Sequence, residues 1–323
     1  MPPSDRAPIG VVAPRDLPAD RLRDFVTTAD SAGFGELWVV EDLSYSGGIA
    51  QAAAALAWSD GLHVGIGILP AGVRNPAFLA MEIATLAGMF PGRVTIGLGH
   101  GVTSWMRQVG AWPASPLTLM RETAEALRAL LRGERVTVTG RYVHLDDVTL
   151  DQPPSVVPPI IAGVRGPRSL ALAGESMDGV MLAEPSTPEF LTRVREQIGA
   201  AAGDRFLLPV YNLGFVDDDS ARAVDAARAA VAGLRGPDWT RHIDPLPFAR
   251  EWRELDRAHP GDAEFAAAMP ASWVETLALA GTPERVRGRI EELLAAGATS
   301  VSIFPHGEDR VAALDSLARV LPG

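Results

Sequence analysis

Hydrophobic positions along the chain alternate between short runs rich in Val and Ile and longer stretches with helical spacing. Ile9–Val12 has the pattern of a buried strand, and residues 19–32 have the spacing of a helix that ends at Gly33. Further strands are predicted at residues 37–40, 62–69, 94–98, 159–162, 179–182, 206–215 and 300–304. Further helices are predicted at residues 49–58, 76–89, 117–131, 168–174, 188–201, 220–234, 283–296 and 311–320. Strands that alternate with helices in this way predict a parallel sheet.

The predicted strands are apolar on both faces, which is typical of a sheet covered by helices on both sides. Roughly eight strand–helix units favour closure into a single (β/α)8 TIM barrel of the α/β class, and an open doubly wound sheet is the alternative. Two segments depart from the alternation: residues 135–145 have the pattern of an inserted hairpin, and residues 236–270 that of a helical excursion. Because no internal repeat or low-complexity linker divides the chain, residues 1–323 are predicted to form one domain.

The composition excludes several classes of chemistry. The chain contains no cysteine, which excludes disulfides, thiolate nucleophiles and iron–sulfur clusters. Its 29 basic residues are all arginine, so Schiff-base lysines, covalent pyridoxal phosphate and the P-loop lysine are excluded as well. No HxH, HExxH or GxSxG pattern occurs in the sequence. Neither a metal centre nor a serine nucleophile is therefore predicted.

Charge and hydropathy bear on partners and location. The net charge of −11 argues against nucleic acid as a partner, because phosphate binding needs a basic surface. No apolar run approaches the roughly 20 residues that span a bilayer, so no membrane association is predicted. Residues 1–5 lack the basic start and the apolar stretch of a signal peptide. These features predict a cytoplasmic protein that acts on a small-molecule substrate.

Functional groups of a barrel belong at the carboxyl ends of its strands. Glu41 and Asp42 follow the second predicted strand, where carboxylates can accept a hydrogen bond from a ring N–H or exchange a proton. A helix cap or a solvated turn is the alternative for this pair. The third strand ends in Gly65-Ile66-Gly67-Ile68-Leu69-Pro70, and glycines inside a strand mark a bulge or the close approach of another group.

Two glycine loops follow the next strands. Gly97-Leu98-Gly99-His100-Gly101 can lie flat against a planar ligand because few side chains would clash; capping or packing is the alternative role of His100. Gly163-Val164-Arg165-Gly166 leads into a helix whose N-terminus presents free N–H groups to a phosphate, although a structural turn looks similar. Arg165 and Arg168 strengthen the case for an anion. Such loops without a nucleophile are typical of an enzyme whose cofactor carries the chemistry.

At these segments the chain resembles the luciferase-like monooxygenase family, and more closely its branch that uses the deazaflavin coenzyme F420. The resemblance extends over nearly the whole chain and depends on the order and spacing of several short stretches. They are residues 33–39, 64–76, 91–99, 161–166, 178–179, 281–286 and 296–298. The most recognisable pieces are Gly92-Arg93 with Gly97-Leu98-Gly99, and Gly281-Thr282-Pro283-Glu284.

The resemblance implies a non-proline cis peptide bond, here Gly67–Ile68, that forms a bulge behind the deazaflavin ring. It places Glu41 and Asp42 at the ring, although several members have histidine where Asp42 stands. It also implies that backbone N–H groups of residues 163–166 hold the coenzyme phosphate. The implied coenzyme-binding residues are Glu41, Asp42, Gly67, Ile68, Pro70, His100, Gly101, Trp105, Gly163, Val164, Arg165 and Gly166.

The resemblance also bears on the substrate and on assembly. Trp105 and Met106 are expected to line the ring or the substrate pocket. Val102 stands where the sugar-phosphate dehydrogenase members have glutamate, and their lysines are absent, so a sugar phosphate is not expected as substrate. The chain resembles the methylenetetrahydromethanopterin reductase members more, and a homodimer is expected from the family. The arginines expected near the glutamyl tail of the coenzyme are Arg74, Arg107, Arg165 and Arg168.

These observations predict an F420-dependent oxidoreductase that transfers a hydride between C5 of the deazaflavin and an unidentified organic substrate. Asp42 or His100 is expected to handle the proton. An FMN-dependent monooxygenase of the same fold is the first alternative, because it would share the phosphate loop. A non-catalytic flavin-binding protein is the second, because no acid–base pair is evident in the sequence.

Overall fold

The structure, a computed structural model, describes residues 8–322; residues 1–5, on which the prediction about a signal peptide rests, lie outside this range. Within it, nine parallel strands form the main sheet and two antiparallel strands form a separate hairpin. The strands are β1 (Ile9–Val12), β2 (Glu36–Val39), β3 (His63–Pro70), β4 (Val94–Gly99), β5 (Val136–Thr139), β6 (His144–Val148), β7 (Ile160–Gly163), β8 (Gly179–Met181), β9 (Pro209–Val216), β10 (Leu279–Gly281) and β11 (Ser300–Pro305).

Helices connect the strands and pack against the sheet. They are α1 (Leu22–Ala32), α2 (Gly48–Ala57), α3 (Pro76–Met89), α4 (Thr103–Gln108), α5 (Pro116–Leu131), α6 (Pro167–Ser176), α7 (Pro188–Ile198), α8 (Ser220–Ala232), α9 (Thr240–Ile243), α10 (Ala249–Ala258), α11 (Asp262–Ala268), α12 (Ala271–Leu277), α13 (Pro283–Ala295) and α14 (Ala313–Ala318). Several begin with proline directly after a capping side chain: Asn75, Thr187 and Thr282 each accept a backbone N–H of the first turn. Proline at the first position is favourable because its missing N–H has no helical partner.

The main sheet closes on itself. Its order is β10-β9-β11-β1-β2-β3-β4-β7-β8, so successive strands of the chain are mostly neighbours in the sheet. The two sides meet where the Leu182 N–H donates to the Pro209 carbonyl (3.1 Å) and the Tyr211 N–H donates to the Leu182 carbonyl (2.8 Å). A doubly wound sheet would instead reverse its strand order near the middle. The predicted TIM-barrel fold of the α/β class is therefore confirmed, with β10 as an additional strand beside β9.

Apolar packing on both faces of the sheet holds the strand ends in place. Inside the barrel lies a buried cluster of Val12, Trp38, Ile161, Met181 and Tyr211. Position 65 requires glycine, because a β-carbon there would collide with the Trp38 ring. Outside, α1 turns Phe25 and Val26 toward the sheet, where both are fully buried. Each such large side chain contributes roughly 1.5–3 kcal/mol by leaving water.

The observed elements agree with the sequence prediction to within a few residues, and β1 and α3 have the predicted bounds. The helix predicted at residues 188–201 ends at Ile198, because Gly199 takes a positive φ of 79°. The strand predicted at residues 206–215 begins at Pro209. Three short elements were not predicted: α4, α12 and the three-residue strand β10.

Two segments extend beyond the barrel. The hairpin of β5 and β6 follows α5, and Glu122 on α5 accepts the backbone N–H groups of Arg141, Tyr142 and Val143 at 2.9, 2.8 and 3.0 Å. Helices α9, α10 and α11 occupy the region of the predicted excursion between β9 and β10. No helix among residues 8–322 is both long and apolar enough to cross a membrane.

Candidate active site

A cavity of about 1510 Å³ opens at the carboxyl ends of the strands. Its wall consists of the loops after β2, β3, β4 and β7, helix α4, and Asp238 and Arg241 from the excursion. All the residues predicted to bind a coenzyme line this cavity: Glu41, Asp42, Gly67, Ile68, Pro70, His100, Gly101, Trp105, Gly163, Val164, Arg165 and Gly166. The cavity lies at the end of the barrel where enzymes of this fold carry their chemistry.

A bulge interrupts β3 at the wall of the cavity. The Gly67–Ile68 peptide bond is cis, which confirms the bond implied by the family resemblance. The pairing of β3 with β4 shifts register between Ile66 and Leu69. A β-carbon on Gly67 would collide with the hydroxyl of Tyr211. Glycine is therefore required at this position by the packing of the barrel interior.

The Ile68 side chain fills a space between three glycines on neighbouring strands. A β-carbon on Gly163 would collide with Ile68 Cγ2, and β-carbons on Gly97 and Gly99 would lie 3.0 and 3.1 Å from Ile68 side-chain atoms. Glycines inside strands commonly mark such a close approach. Ile68, packed against the three glycines, thus forms an apolar surface at the cavity wall together with Gly163, and we refer to these four residues as the glycine seat.

Glu41 serves as an anchor for the loop after β2. Its carboxylate accepts two hydrogen bonds from Arg74, at 2.6 and 2.8 Å, and one from the backbone N–H of Gly48 at 2.9 Å. Arg74 also lies 3.3 Å from a carboxylate oxygen of Glu82. The hydrogen bonds from Glu41 raise the pKa of the Arg74 guanidinium. Because two carboxylates already compensate Arg74, its charge is less available to an anionic ligand than the sequence suggested.

Asp42 projects from the same loop and pairs with Arg15, whose Nη1 lies 3.3 Å from Asp42 Oδ2. Burial raises the pKa of the Asp42 carboxyl, and the hydrogen bond from Arg15 opposes the shift. Arg15 is half-exposed, so the pair lies at the edge of the cavity. A carboxyl whose pKa is raised by burial is suited to exchanging a proton.

His100 is held between two elements. Its Nε2 lies 3.0 Å from the hydroxyl of Ser169 on α6, and the ring also hydrogen-bonds to the backbone of Pro116. Burial lowers the pKa of the imidazole. The ring is therefore neutral at pH 7, and its position joins the loop after β4 to α6.

The loop between β7 and α6 presents unused backbone donors to the cavity. Gly166 precedes α6, and no side chain caps that helix N-terminus. Among residues 8–322, no acceptor is found for the backbone N–H groups of Arg165 and Gly166. The Arg165 Nη1 donates to the backbone carbonyl of Asp238 at 2.6 Å, which ties the loop to the excursion. Free N–H groups at a helix N-terminus form a ready site for a phosphate.

The cationic side chains of the cavity differ from the predicted set. Arg107, Arg165 and Arg241 line the wall, and none of the three forms an ion pair with a carboxylate in the described part of the chain. Arg241 was not predicted, because the excursion carries no pattern that places it near the strand ends. Arg168, which was predicted near the anionic tail, does not line the cavity.

Helix α4 covers one side of the cavity. Trp105 and Met106 both line the wall, in agreement with their expected place. Gly101 (φ 73°) allows the sharp turn before α4, and a β-carbon there would lie 2.8 Å from the Met106 sulfur. Within residues 8–322, no group of three or more His, Asp or Glu side chains is arranged to hold a metal ion.

A carboxyl group that does not line the cavity interacts with residues at the cavity, and the sequence prediction did not include it. Glu184 follows β8, and burial raises its pKa to about 7. A hydrogen bond from its own backbone N–H lowers the pKa, as do the charges of Arg165 and Arg15, whereas the charge of Asp42 raises it. The rule that singled out Glu41, a carboxylate directly after a buried strand, also applies to Glu184.

The structure is thus a (β/α)8 barrel with a large cavity at its open end, lined by unpaired arginines and by free backbone N–H groups. The model of the luciferase-like monooxygenase family matches residues 5–300, and the chain belongs to this family.

Individual relatives agree with this assignment. The chain is 28% identical over 318 residues to a 5,10-methylenetetrahydromethanopterin reductase of Methanolobus tindarius, covering 95% of this chain and 97% of that protein. It is 33% identical over 267 residues to an F420-dependent glucose-6-phosphate dehydrogenase of Beutenbergia cavernae, covering 74% and 78% of the two chains. The solved coenzyme F420-dependent tetrahydromethanopterin reductase of Methanopyrus kandleri has the same fold, with a TM-score of 0.83, 24% identity and 97% of each chain covered.

Proposed function

We propose that the chain is an F420-dependent oxidoreductase that transfers a hydride between C5 of the deazaflavin and an organic substrate. The observation that carries this proposal is the glycine seat beside the uncapped loop 163–166, in a chain whose relatives include enzymes named as F420-dependent. A flat seat and a phosphate loop on adjacent strands fit a ligand that joins a planar ring to a phosphate.

The residues present fit such a coenzyme. The ring would lie against Ile68 of the glycine seat and the neighbouring Gly67, where β-carbons on the surrounding strands are excluded. The backbone N–H groups of Arg165 and Gly166 would bind the phosphate, since they have no other acceptor in the described chain. The unpaired guanidinium groups of Arg107 and Arg241 would meet the anionic tail.

The bound coenzyme supplies or accepts the hydride, and the side chains of this protein supply the rest. Ile68 and the surrounding glycines orient one face of the ring. Trp105 and Met106 on α4 exclude water from that part of the cavity and limit the space for substrate. Asp42 and His100 remain our candidates from the sequence for handling the proton, and Asp42 has the pKa shift that suits this role.

Titration of the purified protein with oxidised F420 and, separately, with FMN tests the proposal, with fluorescence as the readout. We expect saturable binding of F420 and none of FMN at the same concentrations. Binding of FMN alone would contradict the proposal and favour the monooxygenase alternative. Binding of neither would show that the loop 163–166 is not a phosphate site. Binding of F420 without turnover of any substrate would favour a non-catalytic coenzyme-binding protein.

We also propose that the protein forms a homodimer. Helix α3 carries an exposed apolar face in which Phe78, Met81 and Met89 are 67%, 53% and 56% exposed. Large apolar side chains exposed on one helix commonly mark a protein–protein interface. The cytoplasmic location, the absence of nucleic-acid partners and the single-domain organisation predicted from the sequence stay predictions.

A further inference from the structure

Four large apolar side chains on the wall of the cavity are exposed to solvent, and the proposed coenzyme contacts do not use them. They are Tyr45, Val73, Val102 and Val109, with exposed fractions between 39% and 51%. Elsewhere in residues 8–322, the large apolar side chains of comparable exposure lie on α3 or in the loop before β7. Single exposed apolar side chains need no explanation, whereas a group of them on the wall of one cavity indicates a surface that binds a ligand.

The loops that carry these side chains are neighbours at the mouth of the barrel. They follow β2, β3 and β4, which are adjacent strands of the sheet. A β-carbon on Gly72 would lie 2.7 Å from the carbonyl oxygen of Ala111, so the loop after β3 contacts the segment that follows α4. Val73 is next to Gly72, and Val109 is two residues before Ala111. The exposed apolar side chains of these two loops therefore lie beside one contact.

Helix α4 turns an apolar stripe toward the cavity. Val102, Trp105, Met106 and Val109 have the i, i+3, i+4, i+7 spacing of one helical face, and all four line the cavity. Met106 is buried, whereas the two valines, which flank the helix, remain exposed. Arg107 lies about 140° around the helix from Val102 and therefore outside the stripe. We refer to the following five residues as the apolar rim: Tyr45, Val73, Val102, Trp105 and Val109.

The charged side chains of the loops after β2 and β3 are already paired. Glu41 accepts hydrogen bonds from Arg74, and Asp42 Oδ2 lies 3.3 Å from Nη1 of Arg15. The Arg15 guanidinium also lies 5.3 Å from the centre of the Tyr45 ring. Uncharged hydroxyl groups line the same wall at residues 44, 46, 103 and 104. Because a ligand charge buried against this wall would lose its hydration without gaining a partner, the wall favours an uncharged ligand.

The cavity has room for such a ligand beside a coenzyme. Its volume of about 1510 Å³ exceeds the roughly 300–1,000 Å³ that is usual for a site that binds one small molecule. The unpaired side chains of Arg165 and Arg241 come from the loop after β7 and from the excursion, whereas the apolar rim comes from the loops after β2, β3 and β4. The segment from Ile68 to Val73 leads from the glycine seat to the rim. A ligand on the rim would therefore reach a ring that lies at the seat.

We propose that the substrate is an uncharged molecule whose apolar body lies against the apolar rim while its reacting group meets the coenzyme ring. This inference rests on the proposed oxidoreductase function and names the class of substrate for it. An apolar body on the rim removes the exposed side chains from water, and the resulting stabilisation grows with the apolar area that is covered. Affinity should therefore increase with the size of the apolar body.

Uncharged apolar probes test the rim without turnover. Nile red, an uncharged dye that emits at longer wavelengths than F420, should bind saturably to the wild-type protein loaded with F420. Acetone, butan-2-one, hexan-2-one and octan-2-one should displace the dye. Their affinities should rise along the series by up to about fourfold for each CH₂ group that becomes buried. Affinities that do not rise with chain length would overturn the proposal.

Substitutions in the rim test its location. Val109→Asp places a charge in the rim, and Val156→Asp is the matched control, because Val156 is similarly exposed (46% against 49%) but does not line the cavity. We expect Val109→Asp to weaken the binding of Nile red and of octan-2-one at least tenfold, and Val156→Asp to change neither. Val109→Thr, which is close to valine in volume, should weaken both several-fold and decides the question if the aspartate variant does not fold. Equal affinities of the Val109 and Val156 variants would overturn the proposal.

The F420 titration distinguishes failure of this proposal from failure of the proposed function. A wild type that does not bind F420 refutes the function, whereas one that binds F420 but not Nile red overturns the substrate class alone. Loss of F420 binding in Val109→Asp would show that the coenzyme itself covers the rim, and a changed mass in light scattering would show that a second subunit covers it. Dye binding that is lost in Phe78→Asp but retained in Val109→Asp would place the dye on α3. Each of these three results overturns the proposal.

Discussion

The Ile68 side chain occupies the space beside the backbone of Gly163, where a β-carbon would collide with the γ-methyl group of Ile68. Ile68 belongs to the bulge in β3, and Gly163 is the last residue of β7 and the first of the proposed phosphate loop. The contact therefore fixes the bulge of β3, the proposed seat for the ring, relative to the proposed phosphate loop. A change at either residue should alter coenzyme binding.

Gly163→Ala should weaken F420 binding, because the new methyl group must displace Ile68 from the seat. Insertion of a methyl group into a packed site typically costs about 1–3 kcal/mol, so we expect a rise in Kd of about tenfold. The fluorescence titration measures it. Gly88→Ala is the control, because a β-carbon there meets no atom within 4 Å. Equal affinities of the two variants would contradict the assignment of the seat.

Glu41→Gln should destabilise the fold. The substitution removes the charge that pairs with Arg74 and weakens two hydrogen bonds in a partly buried location. We expect the free energy of unfolding, measured in urea, to decrease by about 1–3 kcal/mol. The exposed pair of Arg132 and Glu134 provides the comparison, and Glu134→Gln should change the stability by less than about 1 kcal/mol. Similar losses in both variants would show that Glu41 is not an anchor.

His242→Gln should make stability less sensitive to acid. Burial lowers the pKa of His242 to about 3, whereas the unfolded chain takes up this proton near pH 6.5. The unfolded state therefore binds more protons between these pH values, and the folded state loses stability as the pH falls from 6.5 toward 3. The difference in Tm between pH 7 and pH 4 should be smaller in His242→Gln. His144→Gln, at an exposed position, should leave that difference unchanged.

Phe78→Asp should dissociate the proposed homodimer. The phenyl ring is 67% exposed on α3, so the substitution removes no contact within the subunit core, and it introduces a charge into an apolar contact between subunits. Light scattering coupled to size-exclusion chromatography should give a dimer mass for the wild type and a monomer mass for Phe78→Asp. A wild type that elutes as a monomer at micromolar concentration would refute the dimer.

The sequence predicted the barrel because the alternation of apolar strands and amphipathic helices covers most of the chain. It did not predict β10, since three residues carry too little pattern to distinguish a strand from a turn. The cis bond at Gly67–Ile68 was predicted from the resemblance to a family. The glycine spacing alone predicted only an irregular strand.

Long-range partners could not be predicted from the sequence. Glu41 and Arg74 are 33 residues apart, and nothing in the local pattern indicates that their side chains meet. Arg74 was therefore expected near an anionic tail, although it is already paired with Glu41 and Glu82. The raised pKa of Glu184 depends on its burial, which a single sequence does not provide.

The hydrogen bonds from Trp239 and His242 to residues 184 and 185 join the excursion to the barrel mouth. The Asp238 carbonyl, from the same excursion, accepts a hydrogen bond from Arg165 of the proposed phosphate loop. Replacement of the whole excursion by another segment would therefore alter three things at once: the wall of the cavity, the support of the loop after β8 and the position of Arg165 in the proposed phosphate loop. The substrate pocket of this chain can therefore be changed from this side by single substitutions within the excursion more readily than by its replacement as a block, which would disturb all three at once.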